Sequence, residues 1–401
     1  MVGLRAPLFD RFRVSAAALL ALSLLAGPMW AMDRPSHAAD WPPYAIPRNE
    51  NSMVIRWKTS EPSRDRLILY DEQGEKEPRA FAEDADLRLH SAPLEGLAPG
   101  ALLRYRIQGT KNIGMEGRLR APGQGAECAF FVVSDTQALT IPGTVEMELS
   151  RQRLLVEAMD RDSSQADFLV HTGDLVESGA VVEYDGFFNL IAPLSAKMPL
   201  FAVKGNHDDR TETFVDAFAF PVAGRPYGTD WRHFTTANAL FVFLNLNFNS
   251  LSQVSATVKW LNQILEEKKD RRWKFIFTHQ PIYSNVERDS NTPFRGLFEP
   301  LLIQYGVDAV FSGHHHAYQR INRNGIVYVV SGGGGAASYS PVMDRRIEGT
   351  VKVEEKTIHY LRGQLRNDRF LLEVRGVGEE RREGQVKRRD FEIDRFELTK
   401  P

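Results

Sequence analysis

The sequence has little cysteine, little net charge and few long apolar segments, three features that would each indicate a particular class of protein. Its 401 residues include one cysteine, Cys128, which excludes an intrachain disulfide. The formal net charge is -2 and the pI about 6.6, so no electrostatic signal favours binding to nucleic acids. Beyond the N terminus, no segment is long and apolar enough to span a membrane. What the chain does have is 43% hydrophobic residues, enough for one large core or two smaller ones.

Residues 1–38 predict an export signal. Three arginines are followed by the apolar run Val14–Ala26, whose 13 residues match a signal-peptide core and are short for a membrane span. Ser36-His37-Ala38 offers a small-x-small cleavage site, and cleavage after Ala31 is an alternative. We therefore expect export to the periplasm or the extracellular space, with an uncleaved N-terminal anchor as the alternative.

Residues 41–122 have the pattern of short strands separated by turns. Apolar and polar residues alternate in Ser52–Lys58, and Arg66–Tyr70 and Leu102–Ile107 are further predicted strands. We interpret the segment as a small antiparallel β-sandwich. Its run from Leu94 to Tyr105, Leu-x-x-Leu-x-Pro-Gly-x4-Tyr, resembles the end of a fibronectin type III domain. None of its residues suggests a catalytic role, so we expect this domain to pack against the second domain or to position it.

After a linker at residues 121–125, apolar strands and amphipathic helices alternate. The predicted strands are Cys128–Val133, Phe168–Val170, Leu200–Val203, Ala239–Leu246, Trp273–Phe277 and Val307–Phe311. The predicted helices are Val145–Asp160, Val182–Leu194, Val254–Lys268 and Phe294–Tyr305. This alternation predicts βαβ units around a buried sheet. The last segment, Thr357–Leu398, alternates apolar and charged residues and predicts antiparallel strands that close the sheet.

Three consecutive histidines follow the last strand of this series, in the stretch Gly313–His316. Neutral imidazole is the commonest metal ligand in proteins. In an extended segment, residues two apart face the same way, so His314 and His316 can share a target while His315 faces elsewhere. An exposed histidine patch or a single buried histidine would explain the stretch equally well.

Other predicted strands also end in polar side chains. We call the whole set the strand-end residues: Asp135, Gln137, Asp174, Asn206, His207, His279, His314 and His316. Open α/β sheets place their sites at the carboxyl ends of strands. Burying so many polar groups at one place is costly unless something pairs them. A pair of divalent cations does so, and mixed oxygen and imidazole ligands suit Zn, Mn or Fe.

The order of these residues resembles that of the calcineurin-like metallophosphoesterases. That family's pattern is D-x-H, G-D, G-N-H-D/E, a lone histidine and G-H-x-H, and all five blocks occur here, the first with one substitution. The resemblance implies an α/β (α+β) four-layer sandwich over residues 126–400, with central β-sheets flanked by helices. The fibronectin-like sandwich of residues 41–122 would precede it. The resemblance also implies a phosphoester substrate and two divalent or trivalent metal ions, Fe, Zn or Mn.

The same resemblance divides the strand-end residues between the two ions. Asp135 and His316 would hold the first ion, with Gln137 where the family usually has histidine. Asn206, His279 and His314 would hold the second ion, and Asp174 would bridge both. Gln137 would ligate directly, bond a bound water, or leave the first ion loosely held.

The resemblance assigns catalytic roles to two adjacent residues. His207 would lie beside the substrate phosphate as leaving-group acid or transition-state stabiliser, and Asp208 would orient it. A hydroxide bridging the two metal ions would attack phosphorus in line with the leaving oxygen.

Within the family, the chain is most similar to the purple acid phosphatases and their bacterial relatives. Thr278–Tyr283, Gly313–Arg320 and Trp231–Phe234 look like that branch. The branch has a tyrosine ligand three residues after the bridging aspartate, where this chain has Glu177. We therefore expect no purple charge-transfer band and no need for ferric iron. The branch also has glycine where this chain has Gln137.

Several other residues are expected to support the site. His171 would sit behind it, with direct ligation as the alternative, and His233 is an alternative substrate contact. Tyr318 and Arg320 would brace the histidine stretch, although the planar guanidinium of Arg320 would also suit a phosphate. Gly332–Gly335 would let the backbone pass close to the metal loops.

These expectations favour an exported, dinuclear-metal-dependent phosphomonoesterase. One alternative is a phosphodiesterase acting on nucleotides or lipid headgroups. An alternative of another class is a non-catalytic surface-binding protein in which the N-terminal sandwich does the binding.

Overall fold

The structure of the protein is a computed structural model. It describes residues 39–70, 79–82, 85–109, 115–121, 125, 127–138, 145–219, 231–286, 292–338, 346–381 and 385–400. The predicted export signal, residues 1–38, lies outside these ranges. Across the described part of the chain, no helix has the length and apolar character needed to cross a membrane.

The N-terminal region is all-β, as predicted. Its described strands are β1 (Ala39–Asn49), β2 (Ser52–Ser63), β3 (Arg66–Tyr70), β4 (Arg79–Ala82), β5 (Leu87–Leu94), β6 (Leu102–Gln108) and β7 (Met115–Arg120). They form two antiparallel sheets, ordered β1-β2-β5 and β4-β3-β6-β7. Met53, Ile55 and Trp57 alternate along β2 and are all buried in the core between the sheets, together with Tyr105 of β6.

The larger part of the chain, from Glu127 onward, forms two mixed sheets flanked by helices. Its strands are β8 (Glu127–Val133), β9 (Phe168–His171), β10 (Leu200–Ala202), β11 (Trp231–Thr236), β12 (Ala239–Leu244), β13 (Trp273–Thr278), β14 (Ala309–Ser312), β15 (Ala317–Arg323), β16 (Ile326–Ser331), β17 (Thr350–Glu355), β18 (Thr357–Arg366), β19 (Arg369–Glu380) and β20 (Val386–Thr399). Its helices are α1 (Val145–Arg161), α2 (Val181–Ser195), α3 (Thr213–Phe218), α4 (Leu251–Glu267) and α5 (Thr292–Gln304).

The two sheets pack face to face through a layer rich in phenylalanine. One sheet has the order β10-β9-β8-β18-β19-β20 and the other β11-β12-β13-β14-β16-β15-β17. Phe130 of the first sheet contacts Phe241 and Phe277 of the second, with ring centroids 5.4 and 6.1 Å apart. Cys128 lies in the same layer, and burial raises the pKa of its thiol well above the ordinary value, which makes it an unreactive core residue.

Helices cover the two outer faces. Helices α1 and α2 pack on the first sheet through residues such as Leu155 and Phe188. Helices α4 and α5 pack on the second through residues such as Leu261 and Phe298. The resulting order of helices, sheet, sheet and helices confirms the predicted four-layer sandwich preceded by an all-β region.

The sheets are less uniform than the alternating pattern predicts. Strands β8, β9 and β10 run parallel, as do β12, β13 and β14. The closing segment is antiparallel, as expected, but β18 pairs directly with β8 in the middle of its sheet. Strand β15 was not predicted because the polar Gln319 and Arg320 interrupt its apolar pattern.

Strand β1 connects the two regions. The ring of Tyr44 stacks on Phe188 of α2 with centroids 4.3 Å apart, and its hydroxyl donates to the Ala217 carbonyl of α3 at 2.8 Å. Asp185 of α2 accepts hydrogen bonds from Trp41 Nε1 and Lys58 Nζ, both at 2.7 Å. The N-terminal sheets are therefore bonded to the two helices that follow the loops carrying Asp174 and His207.

Candidate metal centre

The strand-end residues come together at one edge of the two sheets. Parallel strands in each sheet point their carboxyl ends the same way, and the facing sheets bring both sets of loops together. The loops carry Asp135 and Gln137 after β8, Asp174 after β9, Asn206 and His207 after β10, His279 after β13, and His314 and His316 after β14.

Close packing of the backbone shapes this edge. Asp174 has a φ of 53°, a left-handed conformation that turns its carboxylate back toward the neighbouring loops. A Cβ atom on Gly173 would lie 2.6 Å from His279 Nδ1, and one on Gly205 would lie 2.1 Å from Asp174 Oδ1. The glycines before Asp174 and Asn206 are required because any side chain there would displace a strand-end residue.

One group of donor atoms surrounds His279. Ligand atoms of Asp174, His279 and His314 all lie within 4.8 Å of one another. His279 Nε2 is 3.0 Å from Asn206 Oδ1, 3.2 Å from Asp174 Oδ2 and 3.3 Å from His314 Nδ1. The other ring nitrogen, Nδ1, donates to the Thr172 carbonyl at 3.0 Å, which directs Nε2 into the group.

A second group surrounds His316. Its Nδ1 donates to the Ala337 carbonyl at 2.6 Å, so Nε2 faces the cluster, 3.4 Å from Asp135 Oδ1. Gln137 Nε2 is 3.3 Å from His316 Nε2 and 3.5 Å from Asp174 Oδ2. Gln137 Oε1 is buried and has no hydrogen-bond partner among the residues that the structure describes.

The electrostatics of the cluster favour bound positive charge. Burial alone would raise the pKa values of Asp135 and Asp174, but the adjacent histidines outweigh it and hold both below the usual range. Burial likewise opposes the charge on His279, yet the Asp174 carboxylate raises its pKa to about 9. Two ionised carboxylates, several imidazoles and the amide oxygen without a partner form a donor set that fits Zn, Mn or Fe ions.

The prediction that Asp208 orients His207 is wrong. Asp208 begins a short 3-10 turn, Asp208–Arg210, which directs its carboxylate into the interior. There it accepts hydrogen bonds from the Gly205 amide at 2.9 Å and the Tyr184 hydroxyl at 3.2 Å. Burial and then the charge of Asp174 raise the pKa of Asp208 to about 7. Asp208 therefore supports the backbone beneath the site.

Glu177 holds His207 instead. His207 Nδ1 donates to the Glu177 carbonyl at 2.7 Å and lies 3.2 Å from the Glu177 Oε1 atom. Burial would lower the pKa of His207, but its bond to Glu177 and the charge of Asp174 together raise it. The sequence signal for this role was the carboxylate three residues after Asp174, and only the fold brings it to His207.

The supporting histidines divide into three environments. His171 uses both ring nitrogens behind the site, with Nε2 2.9 Å from Thr136 Oγ1 and Nδ1 accepting from the Gly173 amide at 3.3 Å. His315 is buried, with Nδ1 2.6 Å from Ser284 Oγ, so it faces away from the other two histidines of the stretch, as predicted. His233 packs near Trp260, with ring centroids 6.2 Å apart, and is not among the converging residues.

Two further expectations concern the histidine stretch. Tyr318 and Arg320 both bond Asp394 of β20, with the Tyr318 hydroxyl and Arg320 Nε each 2.8 Å from Asp394 Oδ2. These bonds connect β15 to β20, and the Arg320 guanidinium is directed at a carboxylate. A Cβ on Gly332 would lie 2.2 Å from the His315 carbonyl oxygen, so the predicted close backbone approach is confirmed.

Comparison with known proteins identifies the fold family. A family model described as calcineurin-like phosphoesterase matches residues 129–318. Purple acid phosphatase 18 of Arabidopsis thaliana is 23% identical over 302 residues, 68% of this chain and 64% of the relative. Acid phosphatase type 7 of Homo sapiens is 26% identical over 345 residues, 76% of this chain and 75% of the relative. The chain therefore spans less than two thirds of the Arabidopsis relative.

Solved structures give the same result for the fold. Purple acid phosphatase PPD1 from yellow lupin (Lupinus luteus) seeds superposes with a TM-score of 0.70 at 16% identity, covering 89% of this chain and 74% of the other. PhoD superposes with a TM-score of 0.67 at 14% identity, covering 90% of each chain. Residues 129–318 therefore match a calcineurin-like phosphoesterase domain, and the chain is similar in sequence and fold to the purple acid phosphatases.

Proposed function

We propose that this protein is a metal-dependent phosphoester hydrolase that acts on phosphomonoesters. The observation that carries the proposal is the convergence of Asp174, His279 and His314, whose ligand atoms lie within 4.8 Å of one another at the sheet edge. Asn206 adds an oxygen donor to this group, and the second group around His316 would hold another ion. The names of the relatives, purple acid phosphatase and acid phosphatase, support a phosphatase activity.

Two metal ions held by the strand-end residues would supply a nucleophilic water of lowered pKa and offset charge on the phosphoryl oxygens. Asp174 would contribute to both ions, because its Oδ2 lies 3.2 Å from His279 Nε2 in one group and 3.5 Å from Gln137 Nε2 in the other. Its Oδ1 accepts from the His207 amide at 2.9 Å, which fixes the carboxylate. Asp135 is held in the same way by the backbone amide of His314, at 3.1 and 3.0 Å from its two oxygens.

His207 is the proposed proton donor to the leaving oxygen. Its side chain is 22% exposed, so substrate can reach it, whereas the Asp174 carboxylate beside it is buried. His207 Nε2 lies 4.0 Å from Asp174 Oδ2. Glu177 holds Nδ1, so Nε2 is the nitrogen directed at incoming substrate. With Glu177 in place of a tyrosine ligand, the metal-loaded protein should be colourless in visible absorption.

The proposed location is outside the cytoplasm, with residues 1–38 removed as a signal peptide and the N-terminal sheets acting as a fibronectin type III-like domain. The basic start and the 13-residue apolar run Val14–Ala26 support export. N-terminal sequencing of protein recovered from the periplasm or medium tests it. A mature chain starting after Ala38 or Ala31 is expected, and full-length protein retained in membranes would favour the uncleaved anchor.

The proposed function is tested by replacing residues of the candidate metal site. Asp174→Ala and His314→Ala should each lower turnover of an aryl phosphomonoester by at least about 10²-fold, because each removes a ligand of the ions that would offset the developing charge. Both should also lower metal content, measured by plasma mass spectrometry. His233→Ala is the matched control outside the cluster and should retain turnover.

Substrate class is tested by comparing rates on aryl monoester and diester substrates. A higher kcat/KM for the monoester is expected, and a preference for the diester would favour a phosphodiesterase of nucleotides or lipid headgroups. Metal-loaded protein that hydrolyses no phosphoester in a broad screen would overturn the proposal. That result would favour a surface-binding protein instead.

A further inference from the structure

The two sides of the proposed metal centre differ in the chemistry of their donors. On one side, the imidazole nitrogens of His279 and His314 lie 3.3 Å apart, next to the amide oxygen of Asn206. On the other side, His316 provides the imidazole, and the Asp135 carboxylate lies 3.4 Å from it. We call these the two-histidine side and the one-histidine side. The first is rich in nitrogen donors and the second in oxygen donors.

Gln137 occupies the remaining place on the one-histidine side. Its amide nitrogen is 3.3 Å from His316 Nε2 and 3.5 Å from Asp174 Oδ2, whereas its buried Oε1 has no partner in the described part of the chain. Since His316 Nδ1 donates to Ala337, His316 Nε2 carries a lone pair, and Asp174 Oδ2 carries others. A half-turn of the amide puts the carbonyl oxygen where these lone pairs converge, which is the arrangement a cation requires.

Glu177 does not compete for this place. It stands where the purple acid phosphatases carry their tyrosine ligand, but its Oε1 is 3.2 Å from His207 Nδ1. Its carbonyl oxygen also accepts from that nitrogen at 2.7 Å. Glu177 is therefore engaged by His207, and Gln137 is the residue left to complete the one-histidine side.

We propose that Gln137 is a direct, neutral oxygen ligand that makes the one-histidine side an exchangeable site for an oxygen-preferring divalent ion such as Mn²⁺. The two-histidine side retains a nitrogen-preferring ion such as Zn²⁺. Imidazole suits Zn²⁺ and Fe, whereas carboxylate and carbonyl oxygens suit Mn²⁺ and Mg²⁺. A neutral carbonyl also supplies less negative charge than a tyrosinate, so the site does not favour a trivalent ion. This inference rests on the proposed metal-dependent function.

The experiment measures metal binding to the full chain. Protein stripped with a chelator is titrated with Zn²⁺ or Mn²⁺. Affinities are read by competition with a chelating indicator, and bound Mn²⁺ is followed by electron paramagnetic resonance. The wild type should bind two ions per chain, one of them at least about tenfold more weakly than the other.

Variants of Gln137 assign the weak site. Gln137→Ala should weaken Mn²⁺ binding at the weak site by at least about tenfold and leave the tight site unchanged. Gln137→His should strengthen Zn²⁺ binding there more than Mn²⁺ binding, because it replaces an oxygen donor with a nitrogen donor. The isosteric Gln137→Glu should strengthen Mn²⁺ binding. Gln280→Ala, at a glutamine whose amide bonds Asn247 at 3.3 Å, is the matched control and should change neither site.

Two results would overturn the inference: Gln137→Ala leaving both affinities unchanged, or Gln137→His and Gln137→Glu both leaving the Zn²⁺ to Mn²⁺ preference of the weak site unchanged. Because the readout is binding, the outcome is separate from the proposed activity. Protein that binds both ions as expected but hydrolyses no phosphoester would overturn the function and leave the assignment of Gln137 standing.

Discussion

The N-terminal sheets and the larger region each contain a completely buried histidine, but the atoms around the two rings differ. In the N-terminal sheets, His90 is stacked on Trp57 at 5.0 Å and its Nε2 is 3.0 Å from Thr59 Oγ1. At the sheet edge, His279 Nε2 has three strand-end residues within 3.3 Å, Asn206, Asp174 and His314. A hydroxyl can donate or accept, so it suits either ring tautomer. The acceptor atoms that converge on His279 Nε2 instead require a cation between them. Burial of a histidine therefore does not by itself identify a metal ligand; the neighbouring atoms do.

The largest expected effect comes from breaking the sheet-edge cluster at His279. His279→Ala removes the nitrogen shared by three neighbours and should lower turnover of a phosphomonoester by about 10²–10³-fold. Bound metal, measured on the same preparation, should fall with it. Unchanged turnover would mean that His279 is structural, like its counterpart in the N-terminal sheets.

The second largest effect is expected at His90, the buried histidine of the N-terminal sheets. His90→Ala leaves the Thr59 hydroxyl without its ring partner in a closed core and should lower the free energy of unfolding by about 1–3 kcal/mol. Chemical denaturation measures this loss. Metal content and kcat of the folded fraction should equal those of the wild type, and any loss of bound metal would contradict the comparison.

A smaller effect is expected at Glu177, which positions His207 and is not itself placed at the reacting atoms. Glu177→Gln keeps the carbonyl that accepts from His207 Nδ1 and removes the carboxylate 3.2 Å away. We expect kcat to fall about tenfold with KM nearly unchanged. Glu177→Asp, which restores a carboxylate, should recover part of the rate, whereas a merely structural role would not depend on that charge.

The smallest effect is expected where the two regions meet. Asp185→Ala removes the acceptor shared by Trp41 and Lys58, each at 2.7 Å, and should cost about 1 kcal/mol of stability because the carboxylate is partly exposed. Asp160→Ala, which breaks an exposed ion pair with Lys197, is the control and should cost less stability. A separate, earlier unfolding transition in Asp185→Ala would indicate that the N-terminal sheets unfold on their own.

The strands predicted from mainly apolar runs match the structure to within one or two residues, whereas the buried strand β16 is missing from the prediction. Trp273–Phe277 became β13 (Trp273–Thr278), and Phe168–Val170 became β9 (Phe168–His171). Both are buried on two faces, so hydrophobicity alone marks them. Strand β1 was not predicted because its prolines conceal the pattern, and only its packing on α2 reveals why Trp41 and Tyr44 are buried.

Sequence reasoning recovers the order of the strand-end residues and the oxygen and imidazole chemistry that they carry. These follow from residue type and from position after an apolar run. Tertiary structure alone decided how they are partnered. Glu177 and His207 are 30 residues apart and meet because β9 and β10 are parallel neighbours, while Asp208, adjacent to His207, turns away into the core. Hydrogen-bond partners depend on where each loop directs its side chains, and spacing along the chain does not contain that information.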